Sequence, residues 1–326
     1  MIAGGFNIYD RIHELNKFKF AYGLEKVFFL DNSFDTWQAK AEKLLGNALN
    51  FEVKIEFMIP AGGGCINECF ILQTNAGKFF VKRNDASKFP GMLRMEAKGL
   101  RLLNEKVNGI TPEVIAEYED RSDLLLILEN IEKGKPQKEF WNDFAGRLAA
   151  IHRHSNEFFG LEHDNFIGSL PQSNRQHSDW VSFFILERIE PQLKMSIDNK
   201  RLPKGIYRVF EKIFLRLPEI FPSEKPALLH GDLWAGNYLS ASDGSVRLID
   251  PAIYFGFREM DLAMMKLFGG IDPSFLQHYE NIFPLEKEFE KRAGICNLYP
   301  LLVHVNLFGG HYASEVKSIV MNFQGR

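Results

Sequence analysis

The chain has 326 residues, more than one ordinary domain holds, so it reads as two. Its apolar fraction of 45% and charged fraction of 25% suit a globular protein, and 39 basic against 42 acidic residues argue against a nucleic-acid partner. Three cysteines make no disulfide framework, no apolar run is long enough to span a membrane, and no secretory start is visible, so the expectation is a cytoplasmic protein with reduced thiols and no membrane partner.

Residues 1–33 mix Phe18, Phe20, Phe28 and Phe29 with charges and show no clean period; they read as an N-terminal extension of unknown structure. Over residues 35–49, Trp37, Ala41, Leu44, Leu45 and Ala48 fall on one face at helical spacing. Strand-like runs follow at 52–59, 65–73 and 78–83. Gly-bearing turns, Ala61-Gly62-Gly63-Gly64 and Thr74-Asn75-Ala76-Gly77, join them as antiparallel hairpins. A helix is expected over 90–106 with Pro90 near its first turn, then strands at 113–118 and 124–129. Beyond Gly134 the pattern is helical, at 138–152, 179–197, 204–217, 259–268, 273–282 and 286–308, interrupted by short β-like stretches at 227–229 and 246–249. The fold class is α+β: an N-terminal lobe (34–130) with an antiparallel sheet and a helix, then a helical C-terminal lobe (131–326), with a cleft between them.

The most informative segment is His230-Gly231-Asp232-Leu233-Trp234-Ala235-Gly236-Asn237, followed by Ile249-Asp250-Pro251. Phosphoryl transfer needs one carboxylate to orient a hydroxyl, and an amide oxygen with a second carboxylate to hold Mg²⁺ on nucleotide phosphates. The spacing from Asp232 to Asn237 is that of the protein-kinase catalytic loop. The plain alternative is a pair of turn-forming aspartates. Lys82 ends a strand on the side of Phe80, and Glu96 lies on the helix stripe Leu93, Leu100, Leu103, where an unpaired carboxylate is costly. Together they suggest a phosphate-holding lysine and its ion-pair partner; singly, each also reads as a snorkelling lysine or a rim glutamate. Backbone N–H groups of Gly62, Gly63 and Gly64 can cover phosphates, although glycine-rich hairpins are common and this one is not a Walker A loop. Asp250 is followed almost at once by the helix from Glu259, leaving no room for a peptide-docking activation segment. The acceptor is therefore expected to be a small molecule or a single modified side chain on a protein.

Gly62-Gly63-Gly64-Cys65-Ile66-Asn67, His230–Asn237, Asp250-Pro251-Ala252 and Arg258-Glu259 with Asp261-Leu262-Ala263-Met264 resemble the fructosamine (ketosamine) kinase family. So do Asn165-Phe166-Ile167-Gly168 with Pro171-Gln172 and Asn174, and the run from Tyr299 to Asn306. The resemblance extends from about Asp35 to the C-terminus. It implies the protein-kinase-like fold shared with aminoglycoside phosphotransferases and choline kinases, and ATP- and Mg²⁺-dependent phosphorylation of the sugar of a free or protein-bound glycated amine, leading to deglycation. It implies Asp232 as catalytic base, Asn237 and Asp250 as metal ligands, and Lys82 with Glu96 at the phosphates. Trp234 and His304 would stand on the substrate side, and Glu129 and Ile131, by fold analogy, at the adenine edge. His304 also reads as a core histidine, and Cys65 either as a redox-sensitive thiol of the family or as a small buried one. His152 and His154 read as structural residues at a helix end.

Two other readings stay open here: a choline or aminoglycoside kinase of the same fold, and a pseudokinase. The intact set Lys82, Glu96, Asp232, Asn237 and Asp250 argues against the second. Against an aminoglycoside, residues 293–326 are expected to line the acceptor side with Tyr299, His304, Asn306, Phe308 and Tyr312 and with one acid, Glu315. Oligomeric state cannot be read from the sequence.

Overall fold

The computed structural model describes residues 36–62 and 66–324. The expectations placed on residues 1–33 and on Gly63, Gly64 and Cys65 lie outside the described residues. Helix α1 (Trp37–Leu49) starts where the Thr36 hydroxyl accepts the Ala39 N–H and stops at Asn50 in the left-handed region, φ 59°. Strands β1 (Ile55–Pro60), β2 (Glu68–Thr74), β3 (Gly77–Asp85), β4 (Val114–Glu119) and β5 (Asp123–Glu129) form an antiparallel sheet in the order β1-β2-β3-β5-β4. Ala41 and Leu45 of α1 cover one face over Leu72, Phe79, Val81 and Ile127. Helix α2 (Met92–Lys106) covers the other, setting Leu93, Ala97 and Leu100 against Leu124, Leu126, Leu128 and Phe80. Cover on both faces explains the unbroken apolar run of β5. Pro90 lies outside α2: Gly91, at φ 75°, turns the chain just before the first helical residue.

The remaining chain is mainly helical: α3 (Phe140–His152), α4 (Trp180–Phe183), a π-helical stretch Phe184–Ile189, α5 (Glu190–Asp198), α6 (Tyr207–Phe214), α7 (Leu217–Ile220), α8 (Glu259–Phe268), α9 (Phe275–Ile282), α10 (Phe289–Cys296), α11 (Leu298–Phe308) and α12 (Tyr312–Gln324). The helix expected over 286–308 is two helices, α10 and α11, parted at Asn297; Pro300 offers no N–H to the Cys296 carbonyl. Three short hairpins or strand pairs lie among the helices: β6 (Asn165–Ile167) with β7 (Leu170–Gln172), β8 (Ala227–Leu229) with β11 (Tyr254–Gly256), and β9 (Tyr238–Ser240) with β10 (Val246–Leu248). Of these, β6, β7, β9 and β11, like helix α12, are not anticipated by the sequence reading.

The sheet and the helical part meet at defined points. The Gly134 N–H donates to the Ser240 carbonyl at 2.8 Å, and a β-carbon on Gly134 would lie 2.6 Å from the Ala241 oxygen. Glycine there lets the linker lie flat against the β9–β10 hairpin. Gly99 of α2 faces Pro251 and Ile253, with room for little more than its hydrogen (3.2 Å and 3.5 Å from a notional β-carbon). The helix carrying Glu96 thereby touches the segment carrying Asp250.

Candidate active site

Residues 230–237 link β8 to β9, and residues 249–253 link β10 to β11. The two segments are zipped together: the Ala252 N–H donates to the His230 carbonyl at 2.9 Å and the Ile249 N–H to the Asn237 carbonyl at 3.0 Å. Gly231 stands at φ 83°, and a β-carbon on it would lie 2.0 Å from the Ala252 oxygen, so only glycine fits. Buried Asp261, on α8, accepts the backbone N–H groups of His230 (2.8 Å) and Gly231 (2.9 Å). His152 Nε2 lies 3.2 Å from Asp261, and its Nδ1 lies 2.8 Å from the Tyr279 hydroxyl. His152 is therefore structural, as expected, but it acts in a buried network beneath the loop rather than through the helix end. Burial lowers the His230 pKa, and the neutral ring fits its bonds: Nε2 donates to the Ile249 carbonyl at 2.9 Å and Nδ1 accepts the Asp232 N–H at 3.3 Å.

Asp232 follows directly. Asn237 Nδ2 donates both to its carbonyl oxygen (2.8 Å) and to its Oδ2 (2.9 Å). Burial, with the nearby Asp250 charge second and against the Asn237 hydrogen bond, raises the Asp232 pKa to about 7. With its nitrogen committed to Asp232, Asn237 keeps its amide oxygen as a free acceptor. Asp250 sits in the left-handed region at φ 56°, and its carboxylate, 46% exposed, pairs with Lys82. Lys82 also donates to Glu96 at 2.6 Å. Burial disfavours the Lys82 charge, but Asp250 and Glu96 outweigh it and hold the ammonium protonated; burial also raises the Glu96 pKa against the pull of Lys82. Cys69 is directly opposite Lys82 in the sheet, and burial pushes its thiol up to about 11, against the pull of Lys82.

The structure thus brings Lys82, Glu96, Asp232, Asn237 and Asp250 to one place. Gly62 lies in the exposed turn after β1, and Glu129 ends β5 with its N–H on the Glu113 carbonyl at 2.9 Å. Ile131 follows two residues later, and among the described residues no carbonyl accepts its N–H. Trp234 folds back over Gly236, whose notional β-carbon would lie 2.3 Å from the indole. That indole is edge-on to Phe268 (centroids 6.1 Å apart), and Phe268 lies against His304 at 4.7 Å. His304 Nδ1 donates to the Pro300 carbonyl at 2.8 Å, and burial lowers its pKa, so the ring is neutral with Nε2 as an acceptor.

Tyr299 and Asn306, expected on the acceptor side, are buried instead. The Tyr299 hydroxyl donates to Gln172 at 2.6 Å, and Asn306 bonds Gln192 and Ser196, each at 2.8 Å. Conversely, sequence reasoning gave Asp261 no role and missed Gly236 as the seat of Trp234. An acid set among Met260, Leu262, Met264 and Met265, away from the Glu259–Lys266 stripe of its helix, was the available signal for Asp261.

Among the described residues, no group of three or more His, Cys, Asp or Glu side chains forms a metal cage, and no helix is long and apolar enough to cross a membrane. The fructosamine kinase family model matches residues 36–324. A protein of Enterococcus faecium named "Probable ketoamine kinase" is 35% identical over 82% of this chain and 95% of its own. The chloroplastic protein-ribulosamine 3-kinase of Arabidopsis thaliana is 35% identical over 80% and 81%. A crystal structure from Haemophilus somnus, provisionally named fructosamine-3-kinase, superposes with a TM-score of 0.80 at 26% identity, over 88% of this chain and 99% of the other. This α+β chain, with a kinase-like fold, belongs to the fructosamine kinase family.

Proposed function

We propose that the protein transfers the terminal phosphoryl group of ATP to a sugar hydroxyl of a ketosamine, a fructosamine or ribulosamine, free or protein-bound, leading to deglycation. Family membership supports the kinase activity, and one observation carries the acceptor class. Starting at Trp234, two residues after Asp232 in the chain, an aromatic and neutral series runs through Phe268 to His304, whose Nε2 lone pair lies on the ring side opposite the Nδ1–Pro300 bond. Such a wall can stack on a sugar chain and accept a hydroxyl, whereas a polycationic aminoglycoside calls for several carboxylates.

In this reading Asp232 orients the acceptor hydroxyl and takes its proton as the oxygen attacks phosphorus. Asn237 keeps Asp232 in place through Nδ2. Lys82, fixed by Glu96, holds phosphate oxygens, while N–H groups of the Gly62–Gly64 turn cover them from above. Glu129 and Ile131 offer backbone groups to the adenine edge. The Asn237 amide oxygen and the exposed Asp250 carboxylate fit Mg²⁺, which asks for one or two protein oxygens and takes the rest of its shell from phosphates and water. Bound there, Mg²⁺ would neutralise phosphate charge. The sheet with α2 (34–130) would form the nucleotide lobe, and the helical remainder (131–326) the catalytic and substrate lobe.

The test is turnover of fructosyl-lysine, ribulosyl-lysine, choline and kanamycin at equal concentration with Mg-ATP. The expected result is a higher kcat/KM for a ketosamine than for the other two. Choline favours aromatic walls but has one hydroxyl and leaves the His304 acceptor unused. A higher kcat/KM for choline or kanamycin than for both ketosamines overturns the acceptor assignment.

A further inference from the structure

Asp250 keeps a backbone conformation that its own sequence disfavours. Non-glycine residues rarely enter the left-handed region, and a residue before proline prefers extended backbone; Asp250 precedes Pro251 and stands at φ 56°. Such a residue holds its conformation only where the surroundings over-determine it. On the N-terminal side, His230 Nε2 donates to the Ile249 carbonyl at 2.9 Å, and the Ile249 N–H donates to the Asn237 carbonyl at 3.0 Å. On the C-terminal side the Pro251 ring fixes φ, leaving the ψ angles of Asp250 and Pro251 as the soft dihedrals before Ala252. The Ala252 N–H is taken by the His230 carbonyl. Its carbonyl, and that of Ile253, are taken by the β6–β7 hairpin: Gln172 Nε2 donates to Ala252 at 3.1 Å and Asn165 Nδ2 to Ile253 at 2.8 Å.

These hairpin amides are themselves fixed. Gln172 Nε2 gives its other hydrogen to Asn165 Oδ1 at 2.7 Å, and Gln172 Oε1 accepts the Tyr299 hydroxyl at 2.6 Å. Asn174 adds a second donor to Asn165 Oδ1 at 3.0 Å. Gln172, Asn165 and Asn174 are each no more than 5% exposed. A polar set buried this fully specifies one arrangement, because a group left unpaired there is costly. Resting on the assignment of Asp250 to the metal above, we infer that Gln172 is a positioning residue of the metal site, with Asn165 and Tyr299 as its supports. It meets neither metal nor phosphate. By holding the Ala252 carbonyl it keeps Asp250 in the conformation that leaves the carboxylate exposed for Mg²⁺. It therefore acts on the binding of metal-bound nucleotide and not on that of the nucleotide alone.

The experiment is isothermal titration calorimetry of Mg-ATP, and of ATP in EDTA, with the wild type, Gln172→Met, Gln172→Glu, Tyr299→Phe and Ser196→Ala. Gln172→Met keeps the length of the side chain without its donors, and Gln172→Glu sets a carboxylate against the Ala252 oxygen. Both should weaken Mg-ATP by about tenfold, the lower end for losing a group that orients a metal ligand, with the Kd for ATP in EDTA unchanged. Tyr299→Phe frees only the far end of the Gln172 amide and should move Mg-ATP the same way by less. Ser196→Ala controls for destabilisation: it removes a buried hydrogen bond to Asn306, and should melt lower with both Kd values unchanged. A wild-type Mg-ATP Kd in Gln172→Met, an equal loss of affinity for ATP in EDTA, or the same pattern in Ser196→Ala overturns the positioning role while the metal assignment stands. If neither Gln172 variant folds, Tyr299→Phe decides, and Mg-ATP binding equal to wild type overturns the proposal. A wild type that binds ATP equally with Mg²⁺ and in EDTA removes the metal assignment and the proposal together.

Discussion

A carboxylate that takes a proton from an alcohol must be charged, and Asp232 sits where burial and Asp250 oppose its charge, so its pKa rises to about 7. The ratio kcat/KM should therefore fall as pH drops through about 7, because the protonated acid cannot act as base. Asp232→Asn should lower kcat by about 10²–10⁴-fold while leaving nucleotide affinity nearly unchanged; wild-type-like turnover would contradict the assignment. The same shift has a stability sign. The folded protein binds this proton more tightly than the unfolded chain, so the unliganded wild type loses stability as pH rises from about 4 to about 7. Asp232→Asn should accordingly melt higher than the wild type at pH 8 by at least about 2 °C, with the difference shrinking towards pH 4. Gly236 is the second informative residue. Its backbone is not in the left-handed region, but a methyl there would collide with three indole atoms of Trp234 at 2.3–2.8 Å. Gly236→Ala should raise KM for the ketosamine about 2- to 10-fold, the worth of one aromatic contact, with the melting temperature within about 2 °C of wild type. An unchanged KM would show that the resting position of the indole does not matter for the acceptor.

Helices α3, α8 and α9 hold the 230–237 loop from beneath through Tyr279, His152 and Asp261. Asp261→Asn keeps one acceptor oxygen but turns an N–H₂ toward a backbone N–H, so one of the His230 and Gly231 donors loses its partner. A buried donor left unmade costs about 1–3 kcal/mol. The melting temperature should fall by several degrees and kcat with it, although the side chain never meets substrate; equal Tm and kcat in wild type and variant would refute this. How much of this was legible beforehand differs by element. The meeting of Asp232, Asn237 and Asp250 could be read because residue type and spacing carry it. The pairing of Lys82 with Glu96 could be read because a carboxylate on an apolar helix stripe needs a cation. The direction of Tyr299 and Asn306 could not. Helix α11 is apolar all round, so periodicity gives it no outer face, and the partners that draw those residues inward, Gln172, Gln192 and Ser196, lie more than a hundred residues away. The β6–β7 hairpin escaped notice because three-residue strands are too short to show alternation.

At the scale of the molecule, the Lys82–Asp250 pair is the ionic contact joining β3 of the sheet to the segment after β10, beside the packing of Gly99 on Pro251. Both sides of that junction are proposed to hold one ligand, the lysine by its phosphates and the aspartate by the metal between them. Nucleotide should therefore stabilise the sheet and the helical part together, and only with the metal present. A ligand at a hundred times its Kd contributes about 2.7 kcal/mol, a shift of about 4 °C for a chain of this size. Wild-type protein should show that shift with Mg-ATP and a much smaller one with ATP in EDTA. Asp250→Ala removes the carboxylate of the proposed pair of ligands and frees Lys82 from its bridge, while Glu96 still pairs the ammonium at 2.6 Å. The variant should fold and should lose the difference between Mg-ATP and ATP-EDTA. Differential scanning fluorimetry with and without Mg²⁺ decides this: a wild-type-sized Mg-ATP shift in Asp250→Ala would place the metal on other residues and leave Lys82–Asp250 as a structural clamp alone.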